Sequence, residues 1–363
     1  MLHRKRTGIL ILAALMILTL ISGCSSKNQE EKEEDESVVI SSYSDDGYQT
    51  LLPHQLSEGR YWRGNTNSRL DLMQIPKELM ELSKKHFPVK NNYLLDGQIL
   101  EYEDIQELQR YESTDHPYGL NPDGPFEISE AITLDRPYIV YGVVEMDFVS
   151  TEDKSSLNGI SLAILMNSTV SHEDSTVEIP QDKLYIYAST VGRKLERYMR
   201  NKPEVDADLP IYITFYSSNS ASSTVPGSFI GEGLFTGRSG QFTPIDEQWV
   251  MVPSDEATAK DGVLASQFAT VKAGLKDFMP ENVNIIGKAR YHGEIADYLK
   301  LTVSVQAKSY TEIYSLMQLL NELSVNFTST ELELIIEIRQ MDETVMVLYR
   351  EPGAMKTWVL DIS

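Results

Sequence analysis

Tyr298 to Tyr349, YLKLTVSVQAKSYTEIYSLMQLLNELSVNFTSTELELIIEIRQMDETVMVLY, is the stretch that decides the fold. Tyr298–Gln306 reads as a strand paired with Val283–Tyr291 before it. Ser309-Tyr310-Thr311-Glu312 is a capping box, in which the serine oxygen and the carboxylate three residues on satisfy backbone donors that the first helical turn leaves free. The helix behind the box packs Ile313, Leu316, Leu320 and Leu323 on one face. Leu332–Arg339 and Thr344–Tyr349 then form a hairpin around Met341-Asp342-Glu343. The order is strand, strand, helix, strand, strand.

Working outward, the preceding half follows the same order. Gln74–His86 has Ile75, Leu79 and Leu82 at helical spacing with Pro76 near its start, and a short helix follows over Tyr102–Tyr111. Gly119–Pro125 is a turn cluster. Pro137–Val149 is β-branched and aromatic, and Gly159–Asn167 alternates Ile160, Leu162, Ile164 and Met166, so both read as strands. Pro180 opens a helix whose apolar face is Leu184, Ala188, Val191, Leu195 and Tyr198. Leu209–Tyr216 and Ser228–Thr236 complete the half as strands. The expected class is α+β, two mixed domains each built around an antiparallel sheet. The polar, unpatterned segment Pro253–Gly262 marks the expected junction, giving domains over 51–252 and 262–363. An ancestral duplication is one source of such a repeat, and the common grammar of α+β domains is another.

Before the folded part, His3-Arg4-Lys5-Arg6 leads into an uncharged run from Gly8 to Ile21 that ends in Ile21-Ser22-Gly23-Cys24. This is a secretory signal, residues 1–23, closed by a lipobox: an aliphatic residue, two small ones, then a cysteine. The apolar run is shorter than the ~20 residues a spanning helix needs. Cys24 is the only cysteine in the 363 residues, so no internal disulfide competes for it. Its thiolate is the nucleophile that takes a diacylglycerol thioether, and two or more acyl chains give stable anchoring. The expectation is a palmitate- and diacylglycerol-bearing lipoprotein on the extracytoplasmic face of the cell membrane, matured by a diacylglyceryl transferase and a lipoprotein signal peptidase. Residues 24–50, rich in Ser, Glu and Asp, read as a disordered acidic tether.

The formal charge is −22, and loss of Arg4, Lys5 and Arg6 with the signal takes it to −25. Such a surface repels nucleic acid, which removes that class of partner.

Several phrases resemble, in order, the CamS sex-pheromone lipoproteins of low-GC Gram-positive bacteria. They are Arg63-Gly64, Asp96-Gly97-Gln98-Ile99-Leu100, Gly119-Leu120-Asn121-Pro122, the Pro137–Phe148 strand with Glu145 and Asp147, Leu209-Pro210-Ile211, Val225-Pro226-Gly227, Phe278-Met279-Pro280 and Ile286-Gly287-Lys288. The resemblance implies that the cut signal peptide is trimmed to a short apolar peptide that induces plasmid transfer in mating. The matching residues are Ile17, Leu18, Thr19, Leu20, Ile21, Ser22 and Gly23. For the lipoprotein body it implies no defined chemistry.

The residues themselves offer little catalytic chemistry. His3, His54, His86, His116, His172 and His292 make no HxxH or HExxH spacing, so no metal site or other cofactor is expected. No nucleophile elbow or dinucleotide fingerprint occurs. Glu145 and Asp147, two apart on a strand, share a face and are the candidate ligand or ion contacts. With Asp96 they would also be the acid and base of a hydrolase, if two carboxyls stood about 5–10 Å apart in a cleft. The readings carried forward are a non-enzymatic surface lipoprotein and, as the alternative, an extracytoplasmic lipoprotein that captures a peptide, glycan or cation.

Overall fold

The computed structural model describes residues 38–42, 44–60, 70–173, 175–237, 239–354 and 356–362. Cys24, the lipobox, the Ile17–Gly23 peptide segment, Arg63-Gly64 and the first part of the tether lie outside the described residues. The chain divides into Met1–Val38 and Val39–Ser363. Every described residue but Val38 belongs to the second unit.

Two short strands, β1 (Val38–Ile40) and β2 (Thr50–Leu52), precede helix α1 (Asp71–Ser83). Strand β3 (Asn92–Asp96), helix α2 (Tyr102–Leu108) and the hairpin β4 (Pro125–Ser129) and β5 (Ile132–Asp135) lead to the long strands β6 (Val140–Ser150) and β7 (Leu157–Asn167). A hairpin of β8 (Thr169–His172) and β9 (Ser175–Glu178) precedes helix α3 (Gln181–Arg200), followed by β10 (Ile211–Ser218), β11 (Ser228–Phe235) and β12 (Thr243–Pro244). The second half runs β13 (Glu247–Val252), α4 (Asp255–Lys260), α5 (Gly262–Phe278), β14 (Val283–His292), β15 (Ile295–Val305), α6 (Tyr310–Leu323), β16 (Glu333–Gln340), β17 (Glu343–Arg350) and β18 (Trp358–Asp361).

Two six-stranded sheets result, and in each the spatial order of the strands is their chain order: β3-β6-β7-β10-β11-β12 and β13 through β18. Every pairing is antiparallel except the one between the third and fourth strands, β7 with β10 and β15 with β16. Those two parallel pairs are the ones bridged by α3 and α6, because a parallel neighbour needs a crossover long enough to return the chain to the same end. Helices also stand between the first and second strands of both sheets, α2 in one, α4 and α5 in the other. The halves therefore repeat one plan across all twelve strands. The expected antiparallel sheets are in fact mixed.

The sheets differ in what covers them. α2 and α3 lie on one face of the first, where Ile105, Leu108, Leu184, Ala188, Val191, Leu195 and Met199 are buried. α1 covers the other with Ile75 and Leu79, packed among Phe87, Phe148, Tyr212, Tyr216 and Phe229. A strand covered on both faces has no outward side, so β6 and β7 are buried along nearly their whole length. The second sheet has α5 and α6 on one face, and β14 and β15 alternate buried with half-exposed residues. The Ser309–Glu312 box forms as its sequence requires: Glu312 N donates to Ser309 Oγ at 3.3 Å and Ser309 N to Glu312 Oε2 at 2.8 Å.

Three boundaries differ from the sequence reading. β13 is the first strand of the second sheet, so the sheets change over between Pro244 and Glu247. Pro253–Gly262 holds the short helix α4, capped by Ser254 Oγ accepting from Ala257 N at 2.9 Å. Order also reaches back into the stretch read as tether. Tyr48 is buried, packs on Phe148 with ring centroids 5.3 Å apart and donates its hydroxyl to Phe87 O.

Leu320, fully buried on α6, and Met73, 74% exposed on α1, test this packing. Leu320→Ala should lose about 2–5 kcal/mol in urea unfolding. Met73→Ala should stay within about 0.5 kcal/mol of the parent.

Candidate functional site

Helix α1 sits on the first sheet, yet its Glu78 is almost wholly buried because the second sheet stands against the helix's far side. Two residues apart on β14, Arg290 and His292 share a face. Their register partners on β13, Trp249 and Glu247, share it too, as does Tyr298 on β15. This face brings five charged groups to one seam.

Arg290 Nη1 donates to Glu78 Oε1 at 2.6 Å, while its Nε and Nη2 grip Asp297 at 3.0 and 2.9 Å. The guanidinium lies over the rings of Trp249 and Tyr298, 5.7 and 5.9 Å from their centroids. His292 Nδ1 is 3.0 Å from Asp297 Oδ2, and its Nε2 is 3.6 Å from Glu247 Oε2. Glu247 accepts Phe229 N on Oε1 at 3.2 Å, so β11 of the first sheet also holds it. Gln74 Nε2 donates to the remaining oxygen of Glu78 at 2.7 Å.

Charge counting explains the protonation. Glu78, Glu247 and Asp297 face Arg290 and His292, three acids against two bases. Burial first, and then the neighbouring Glu247, pushes the Glu78 carboxyl up to about 8, against the pull of Arg290. Hydrogen bonding to Asp297 and Glu247 holds the His292 imidazolium up to about 10. Burial alone would raise Asp297, but His292 and Arg290 outweigh it and keep that carboxylate below its ordinary value. A carboxyl raised that far keeps its proton at neutral pH, so Glu78 meets Arg290 as the acid there and as the carboxylate only above about pH 8.

Glu78, Glu247 and His292 bring one potential ligand atom each within 4.8 Å of one another. The grouping is an ion-pair network: both Glu78 oxygens already have donors, and Arg290 with protonated His292 supplies the positive charge an ion would bring. No search of histidine spacing could have found it, since its members are scattered over Glu78 to Asp297 and meet only through the fold.

Two turns before Glu78 on α1, buried Asp71 accepts Tyr216 OH at 2.7 Å and Gly227 N at 3.1 Å. A Cβ at Gly227 would lie 2.2 Å from Ser217 O. Val225-Pro226-Gly227 is thus the place where the loop before β11 meets the start of α1.

Glu145 and Asp147 lie on β6 and share a face, as their spacing requires. Both are buried against main chain. Glu145 accepts Ile99 N at 3.1 Å and Leu100 N at 2.9 Å, and Asp147 accepts Gln98 N at 2.8 Å. Together they hold the Gly97-Gln98-Ile99-Leu100 turn that carries the chain from β3 into α2. Burial raises both carboxyls, Glu145 to about 7 despite its two amide donors, and the Glu145 charge lifts Asp147 further. Asp96, at the exposed end of β3, has His54 Nε2 at 3.5 Å.

The fold is a twice-repeated six-stranded α+β plan, joined by a buried ion-pair seam. A family model described as CamS sex pheromone cAM373 precursor matches residues 55–356. The chain belongs to that family. Among solved structures, the sex pheromone precursor of Lactobacillus salivarius subsp. salivarius UCC118 is 21% identical, with a TM-score of 0.78, over 90% of this chain and 99% of that one. The C-terminal domain of the sex pheromone staph-cAM373 precursor from Staphylococcus aureus is 18% identical, with a TM-score of 0.67, over 82% of this chain and 98% of that one. At these identities the likeness is one of fold. No curated protein matches the chain.

Two predictions arise from these sites. Glu78 and His292 hold their protons more tightly folded than unfolded, where 4.5 and 6.5 are the ordinary values. The stability they carry is complete below those values and drains as pH rises, over 4.5 to about 8 for Glu78 and 6.5 to about 10 for His292. Glu78→Gln, which cannot ionise, should therefore gain on the parent between about pH 5 and pH 8, by on the order of 1 kcal/mol per pH unit where the slope is steepest. Urea midpoints at several pH values check this. Separately, a Cβ at Gly97 would lie 2.4 Å from the Glu145 side chain, so Gly97→Ala should cost about 1–3 kcal/mol in the same assay.

Proposed function

We propose that this chain is a surface lipoprotein, held to the outer leaflet by acyl chains on Cys24, and that its cleaved signal is the source of a short apolar peptide within Ile17–Gly23. The observation that carries the reading is the lone cysteine of the chain, placed directly after Ile21-Ser22-Gly23 at the end of an uncharged run. Family membership supports the peptide layer, since the matching model and the similar structures are described as pheromone precursors. Among the described residues no helix is long and apolar enough to cross a membrane.

The body in this reading is not an enzyme. Its paired carboxylates are spent on structure: Glu145 and Asp147 on the backbone amides of residues 98–100, Glu78 and Glu247 on the seam.

Growth with labelled palmitate tests the anchor. Label should enter the parent and be absent from Cys24→Ala; label in both would overturn it. In the same cultures, mass spectrometry of the medium should find fragments of residues 8–23 ending at Gly23. Synthetic ILTLISG should clump responder cells that carry a mating plasmid. Silence in both assays would remove the peptide layer and leave the anchor standing.

A further inference from the structure

On the open side of the second sheet, next to the seam, lies a cavity of about 310 Å³ whose charge is opposite to that of the whole protein. Its lining includes Lys288, Lys300 and Arg339, with Glu337 as the acid among them. Lys288 and Lys300 are direct register partners on β14 and β15. Like charges facing one another across a sheet destabilise it, so stability gives no reason to place two lysines there. Lys300 is matched by Glu337 at 2.7 Å. Among the described residues Lys288 has no ion-pair partner, and burial together with Lys300 holds its amine below the ordinary value.

Two of the lining residues carry donors that have no partner among the described residues. Arg339 donates Nη2 to Asp342 O at 2.7 Å, but its Nε is buried with no hydrogen-bond partner. Trp249 is 8% exposed, and its Nε1 is likewise buried and unpartnered. Buried donors without partners are rare in folded proteins. The Trp249 ring stands edge-on to Tyr298 with centroids 5.5 Å apart, making one wall of the cavity aromatic.

We propose that this cavity binds a phosphate-class oxyanion carried on a flat or apolar body. Lys288 and Arg339 meet its charge, Trp249 Nε1 donates to one of its oxygens, and the rings of Trp249 and Tyr298 flank the body. Two cations without acidic partners suit a group bearing two negative charges, and the arginine fork suits an oxyanion's paired oxygens. A volume near the lower end of ligand pockets, about 300–1,000 Å³, fits a phosphate with a single ring attached. The site does not depend on acylation of Cys24. The groove on α3 lined by Arg193, Arg197 and Arg200 is the rival basic surface, but Arg193 and Arg200 there are already bound to backbone carbonyls of residues 206, 209, 235 and 240.

The test is titration of the full chain with phenyl phosphate at low ionic strength, followed by calorimetry and tryptophan fluorescence. One saturable site is expected. Lys288→Gln and Arg339→Gln should each weaken it about tenfold, the loss of one charge-assisted contact. Trp249→Phe, which keeps a ring and removes the donor, should weaken it several-fold. Lys288→Gln should melt no lower than the parent without ligand, since it relieves the repulsion from Lys300. Arg197→Gln should leave binding unchanged, and benzoate, with one charge, should bind more weakly than phenyl phosphate. No saturation, equal affinity for benzoate, survival of binding in Lys288→Gln/Arg339→Gln, or its loss in Arg197→Gln would overturn the assignment.

Discussion

The bond between Glu78 and Arg290 sets the relation of the two halves. Its partners come from a helix seated on one sheet and the second strand of the other, and both are largely withdrawn from water. A desolvated pair of this kind adds little net stability over an apolar contact, but losing one partner strands the other, typically at several kcal/mol. It therefore acts chiefly as a constraint on geometry. Asp297 and Gln74 saturate what the pair leaves open, and Trp249 and Tyr298 shield it on the second sheet's side. The position of α1, the burial of Asp71 and the closure of the Val225-Pro226-Gly227 loop all follow from where that helix is pinned.

The repeated strand order sharpens what the pinning does. Two sheets with one connectivity would be expected to be dressed alike, with helices on one face and solvent on the other. The first departs from that because α1 occupies its second face with Ile75 and Leu79, and that face became aromatic. The second has no helix of its own on that face, which α1 meets at the seam, and its other charged and ring-bearing side chains stand beside that contact. The asymmetry of the molecule comes from one additional helix.

Much of this architecture could be read in the residues. The capping box at Ser309, the apolar face of α3 and the alternation in β15 each carry a local signal, and each forms where that signal lies. Glu247–Val252 falls inside the first domain on the sequence reading, which sees no strand there, because nothing local says which sheet so short a segment will join. Helix α5 went unread although Leu264, Phe268, Val271 and Leu275 are helically spaced, its start hidden in a polar segment taken for a linker. Val38–Ile40 and Tyr48 were absorbed into an acidic run whose composition outweighed three apolar residues and a ring. The seam was invisible for a different reason. Glu78, Glu247, Arg290, His292 and Asp297 occupy unremarked positions on separate elements, and only tertiary packing brings them together. The spacing of Glu145 and Asp147 puts them on one face, but only the fold shows that the backbone amides of residues 98–100 lie against them.

Colinear sheets have a consequence for assembly. Since each strand lies beside its predecessor in the chain, either half can zip up by adding one neighbour at a time, with little search between distant segments. Closure between halves comes only when position 290 reaches position 78, a span of 212 residues. Loop entropy grows just logarithmically with such a span, so the delay is one of sequence, not of prohibitive cost. Until then the second sheet has not covered Glu78, so its carboxylate stays solvated and an emerging polypeptide can complete its leading half without burying a bare charge.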